Sequence, residues 1–83
     1  MLGPIASDVV PRDAGQSALL RAFGDQVREA RLQRGLSQAD VAHAAGLHPT
    51  YVSGIESGRR NPSVLSIYAI AGALGVPASE LLP

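Results

Sequence analysis

The sequence predicts an all-α domain of five helices. Capping residues and glycines recur at regular intervals from Ser17 onward, the apolar residues between them follow helical spacing, and no stretch alternates as a strand would. Alanine supplies much of the 46% apolar content, and the only aromatic residues are Phe23, Tyr51 and Tyr68. Small side chains of this kind suit helices packed at close range. A chain of 83 residues makes one small domain with a tail.

Residues 1–16 hold two prolines and two glycines without a sustained period, and read as a flexible N-terminal arm. Residues 17–83 form the domain. Ser17 is the expected cap of a first helix, with Leu20, Phe23, Val27 and Ala30 on its apolar side and Gly35 after its end. Gly24 inside it costs about 1 kcal/mol relative to alanine, which marks close packing or a fray point. Ser37 opens a second helix with Asp40 as its capping-box partner, Val41, Ala42 and Ala45 inward, and Gly46 as its stop.

The third helix starts with His48 at the cap and Pro49 at the first helical position, where a missing N–H costs nothing. Val52 and Ile55 face inward and Gly58 closes it. Ser63 caps a fourth helix that ends at Gly75, with a core stripe of Val64, Ile67, Ile70, Ala71 and Leu74. "PASELL" supplies a last short turn, counted as the fifth helix.

The formal net charge is zero, but its distribution is uneven. Residues 17–62 carry six arginines against four carboxylates, while the segments on either side are each net −1. Every basic residue is arginine, whose planar fork suits phosphate. Cysteine is absent, which excludes disulfides and thiolate metal sites. No segment reaches membrane-spanning length and no basic stretch precedes the apolar N-terminus, so the expected location is cytoplasmic, with no membrane partner.

Gln38, Ala42, Gly46, Val52 and Ile55 fall at positions 1, 5, 9, 15 and 18 of one run. A helix-turn-helix requires this pattern sterically. A small residue lets the two helices approach, glycine permits the left-handed turn, and branched residues wedge the second helix onto the core.

The run from Phe23 to Val76 resembles the helix-turn-helix domain of the Cro/CI-type (xenobiotic-response-element) repressor family, over roughly residues 20 to 82. Within it, "TYVSGIE" is most similar to the controller proteins of restriction–modification operons. The resemblance implies a five-helix, lambda-repressor-like domain that binds a palindromic DNA operator as a homodimer, with helix 49–57 in the major groove. By position, Gln38 matches a phosphate-binding residue. Pro49, Thr50, Tyr51, Ser53 and Gly54 match the base-facing stretch, and Arg59, Arg60 and Asn61 match the loop that grips the backbone. Arg31 and Glu56 match a structural salt bridge. That pair also follows from the residues themselves, because Glu56 sits in the last turn of its helix, where the macrodipole disfavours an anion.

The reading face departs from the family pattern. Proline cannot donate and glycine has no side chain, so bidentate readout is missing at residues 49 and 54. Thr50 and Tyr51 are left as the direct readers, with DNA shape supplying much of the rest. His48 stands where it can face a phosphate or a base, and Gly54 would let a base edge approach the backbone.

On the fourth helix a second apolar stripe, Leu65, Tyr68, Ala69 and Gly72, follows helical spacing on the side away from the core. With Leu82 from the C-terminus it is the expected two-fold dimer contact. An enzyme is not expected: His43 and His48 lie on different elements, and no carboxylate, hydroxyl and imidazole group together. Nor do two histidines without cysteine make a metal motif, so neither metal nor cofactor is expected. An antitoxin-type regulator with a toxin as protein partner, and an interaction module that keeps the fold without binding DNA, are the alternative classes.

Overall fold

A computed structural model describes residues 13–83. Its elements are α1 (Ala14–Gln33), α2 (Gln38–Ala45), α3 (Pro49–Glu56), α4 (Val64–Leu74) and a closing 3-10 turn, Ala78–Glu80. Among the described residues there is no strand, and no helix is long and apolar enough to cross a membrane. Over the described residues the fold is therefore all-helical with four α-helices. The expected fifth is a single 3-10 turn, three residues long. Pro77 starts it, and its bonds run from Glu80 N–H to the Pro77 carbonyl and from Leu81 N–H to the Ala78 carbonyl. Its role is to insert Leu81 into the core.

The first helix begins earlier than Ser17 suggests. Asp13 is its cap, accepting from Gln16 N–H at 2.8 Å while the Gln16 side chain accepts from Asp13 N–H at 3.3 Å. This reciprocal box satisfies two otherwise orphaned donors, and Ser17 lies within the first turns of α1. Ala14, Gly15 and Gln16, assigned to the arm from sequence, are thus helical. The rest of that arm, residues 1–12, lies outside the described residues.

The remaining helices start at Ser37, His48 and Ser63. Between α2 and α3, Gly46 adopts φ +70°. That left-handed turn is open to glycine at little cost and aims α3 across α2. The core between the helices is Phe23, Val27, Val41, Ala42, Val52, Ile55, Ile70, Ala71, Leu74 and Leu81. Val64, expected in it, is 67% exposed. It is the first residue of α4 and overshoots the edge of the core, while Ser66 is buried instead, its N–H and hydroxyl bonded to the Ser63 hydroxyl.

Gly24 explains how α1 meets α3. A Cβ there would stand 2.4 Å from the Ile55 carbonyl oxygen and 2.6 Å from that of Glu56. The backbone of α1 therefore rests directly against the C-terminal carbonyls of α3. Close packing, and not fraying, is what this glycine marks.

Candidate nucleic-acid interface

The candidate interface is built on α3, and one carboxylate ties that helix to its neighbours. Glu56 Oε2 accepts from Arg31 Nε at 2.7 Å, and Oε1 accepts from Arg31 Nη2 and from Gln38 Nε2, both at 3.0 Å. Arg31 Nη1 donates to the Leu36 carbonyl at 2.9 Å. The Arg31 and Glu56 side chains are only 11% and 4% exposed. A pair this dry needs hydrogen-bond partners beyond each other, and the Leu36 carbonyl and the Gln38 amide supply them. The hydrogen bond to Glu56 is also the main cause that raises the Arg31 pKa above its ordinary value. One acidic side chain at the end of α3 thereby ties α1 and the start of α2 to it.

Gln38, assigned to phosphate by resemblance, thus has one amide N–H committed inside the protein. Its second N–H and its oxygen make no further bond among the described residues.

At the other end of α3, the His48 Nδ1 accepts from Thr50 N–H at 3.1 Å. An imidazole nitrogen that accepts carries no proton, so the cap places the ring's N–H on Nε2. His48, Pro49 and Thr50 are exposed, while Tyr51 and Ser53 are half-buried. Tyr51 packs on the edge of the core, so its ring is in part structural.

Gly54 is not the bare point on the reading face that the sequence suggests. It is buried, and a Cβ there would meet Arg60 Cγ at 2.5 Å. Gly58, at φ +78°, turns the chain back after α3. The Arg59 and Arg60 N–H groups then bond to the Gly54 carbonyl at 2.9 and 3.2 Å. Arg60 consequently lies across α3, its guanidinium carbon 5.9 Å from the centre of the Tyr51 ring, within cation–π range. Arg59 points elsewhere: it is exposed, and its Nε donates to the Ser57 hydroxyl. Asn61 is exposed in the loop that follows.

The structure therefore sets Arg60 against Gly54 and Tyr51 of α3, with Thr50 and Ser53 on the same helix and Arg59 in the turn that follows. Sequence reasoning placed Arg60 with the backbone-gripping loop. The missed signal is a glycine on the outward side of a helix followed, across a glycine turn, by an arginine six residues on.

A helix-turn-helix model matches residues 27–81. The chain belongs to the helix-turn-helix family of transcriptional regulators. It is 41% identical over 62 residues to the HTH-type transcriptional regulator y4dJ of Sinorhizobium fredii, covering 75% of this chain and 80% of that protein. It is 46% identical over 61 residues to the control protein C.BamHI of Bacillus amyloliquefaciens, covering 72% and 75%. Among solved structures, the restriction-modification controller protein C.AhdI of Aeromonas hydrophila superposes with a TM-score of 0.77 at 43% identity, covering 78% of this chain and 98% of that one.

The helix-turn-helix family consists of transcription regulators, not enzymes. Among the described residues, no group of three or more His, Asp or Glu side chains is arranged to hold a metal ion.

A second surface lies on α4. Leu65 is 82% exposed and Tyr68 64%, Ala69 is half-buried beside them, and Gly72 is open with nothing near its missing Cβ. Leu82 is 49% exposed, whereas its neighbour Leu81 is in the core. Val64 extends this apolar surface at the start of the helix.

Proposed function

We propose that this helix-turn-helix regulator binds a palindromic operator as a homodimer, each α3 entering the major groove, and controls transcription from the promoter that contains it. The observation that carries the reading is the lie of Arg60. Direct readout needs a long donor-rich side chain on the outward face of α3, and α3 itself supplies none. Arg60, folded over Gly54 and steadied by the Tyr51 ring, fills that role and presents a guanidinium fork of the kind that pairs with guanine O6 and N7.

Thr50 and Ser53 flank it with hydroxyls, and the Thr50 methyl suits a thymine methyl. Gln38, His48 and Arg59 are assigned to phosphates, with Asn61 beside them in the loop. Such contacts fix register and carry no sequence information.

The exposed apolar stripe Leu65, Tyr68, Ala69 and Gly72, with Leu82, supports the dimer. A monomer that left these side chains in water would be unusual, and a two-fold contact buries each copy's stripe on its partner's. Two reading helices then face half-sites about one DNA turn apart.

The test is selection of bound fragments from the source genome, combined with a salt titration. Enrichment of a two-fold symmetric site, the chain's own promoter being the first place to look, is the expected result. Equal retention of all fragments means that α3 does not read sequence and rejects the proposal.

A further inference from the structure

We propose that Arg28 is a DNA-backbone contact, and that the cleft it walls between α1 and α3 receives one operator phosphate in each half-site. This inference rests on the operator-binding reading above. The cleft measures about 290 Å³ and is lined by Arg28, Arg31, Gln38, Ser53, Glu56 and Ser57. At its floor Glu56 is already neutralised by Arg31, and its two oxygens hold three N–H donors. What remains at the mouth is a surplus of one positive charge and a set of donors.

Arg28 is exposed and makes no hydrogen bond or ion pair among the described residues. Gln38 likewise has its second amide N–H to give. Asp25, one turn back on α1, takes no part in the lining. A carboxylate there would quench the cation, and none is present beyond the saturated one.

The ligand that this set fits is an anionic oxygen with several lone pairs, held at the flank of the reading helix. With α3 in the major groove, the group that passes along this flank is the sugar–phosphate backbone. Arginine is well suited to it, since its planar fork can address two phosphate oxygens together. A cation on α1, outside the helix-turn-helix itself, would then set the depth to which α3 enters the groove.

The experiment uses the selected operator duplex, unmodified and as a series with a single methylphosphonate at each backbone position. Wild type and Arg28→Ala are compared, with Arg34→Ala as a control that removes the same charge just past the end of α1, in a different cleft formed with Val76 and Glu80. For Arg28→Ala the slope of log affinity against log salt falls by about 0.9 per half-site, while Arg34→Ala keeps the wild-type slope. One methylphosphonate position per half-site weakens wild type clearly more than Arg28→Ala.

An unchanged slope, or sensitivity at every position equal to wild type, overturns the proposal while leaving operator binding intact. Equal loss of slope in both arginine variants also overturns it, since net charge then accounts for the effect. A wild type that binds no duplex overturns this inference together with the reading on which it rests.

Discussion

The side chain of Arg60 occupies the space that a Cβ on Gly54 would claim. The two are six residues apart in sequence, yet such a Cβ would stand 2.5 Å from Arg60 Cγ. The proposed reading helix therefore borrows its longest polar side chain from the turn that follows it. Gly54→Ala tests this arrangement. Alanine improves helix propensity by about 0.5–1 kcal/mol, which offsets part of the cost of a methyl against Arg60 Cγ, and Arg60 has to leave its seat. The expected result is a domain that still unfolds cooperatively, with about 1–3 kcal/mol of discrimination lost at one base pair per half-site. Unaltered operator preference would show that Arg60 does not read from this seat.

Glu56→Ala should be the most damaging single change at the interface. It strands the guanidinium of Arg31 in a nearly dry site and frees Gln38. Removing one partner of such a pair costs about 3 kcal/mol or more. Thermal unfolding is expected to show a fall in Tm of about 12 °C or more for a domain of this size. A drop of a degree or two would mean that water reaches the pair.

Gly24→Ala inverts the usual propensity rule. Alanine favours an isolated helix, but here its methyl would press on the Ile55 and Glu56 carbonyl oxygens, which belong to backbone and cannot swing aside. A destabilisation of about 1–3 kcal/mol is expected, measured by denaturant unfolding. A stabilised variant would show that α1 and α3 separate readily.

Asp40 gives stability a pH dependence at the acid end. The Ser37 backbone N–H, and next its hydroxyl, hydrogen-bond the carboxylate and lower its pKa from the ordinary 3.8. A depressed carboxylate pKa contributes stability that is fully present above the ordinary value and is lost as pH falls through the folded one. Melting curves of wild type and Asp40→Asn should therefore differ at neutral pH by a constant amount. The difference should shrink once pH drops below about 3.8 and continue to shrink below that. A gap that persists unchanged at the lowest pH would rule out the ionised cap as its source.

Leu65→Glu addresses the surface on α4. The residue is 82% exposed, so the substitution leaves the fold of one copy intact. A charge at the centre of a buried two-fold contact should convert a dimer to a monomer, read by sedimentation at several concentrations. An unchanged dimer would remove this stripe from the assembly.

Local signals in the sequence carried most of the fold. The caps at Ser37, His48 and Ser63 and the turn at Gly46 are each decided within a few residues, and such chemistry is legible without tertiary context. The cap at Asp13 was equally local, but its Asp-x-x-Gln box is hidden among the prolines and glycines before it. Val64 shows a different limit. Helical phase assigned it to the core stripe, and phase alone does not say where the core ends. The candidate site was legible as residues and less so as an arrangement. Resemblance pointed to α3 and the loop after it, whereas the seating of Arg60 on Gly54 depends on how the Gly58 turn folds back, which spacing does not encode. The open cation at Arg28 depends likewise on which arginine of α1 Glu56 takes.

Because every partner of the Glu56 carboxylate lies on α1 or at the start of α2, none of the bonds that mount α3 uses its outward face. Thr50, Ser53 and Arg60 can be exchanged while the mount stays as it is. Under the proposed reading, a duplicated copy of this chain could acquire a new target by rewriting three letters, and the two paralogues would still share one frame. The same separation makes the domain a practical starting point for retargeting by design.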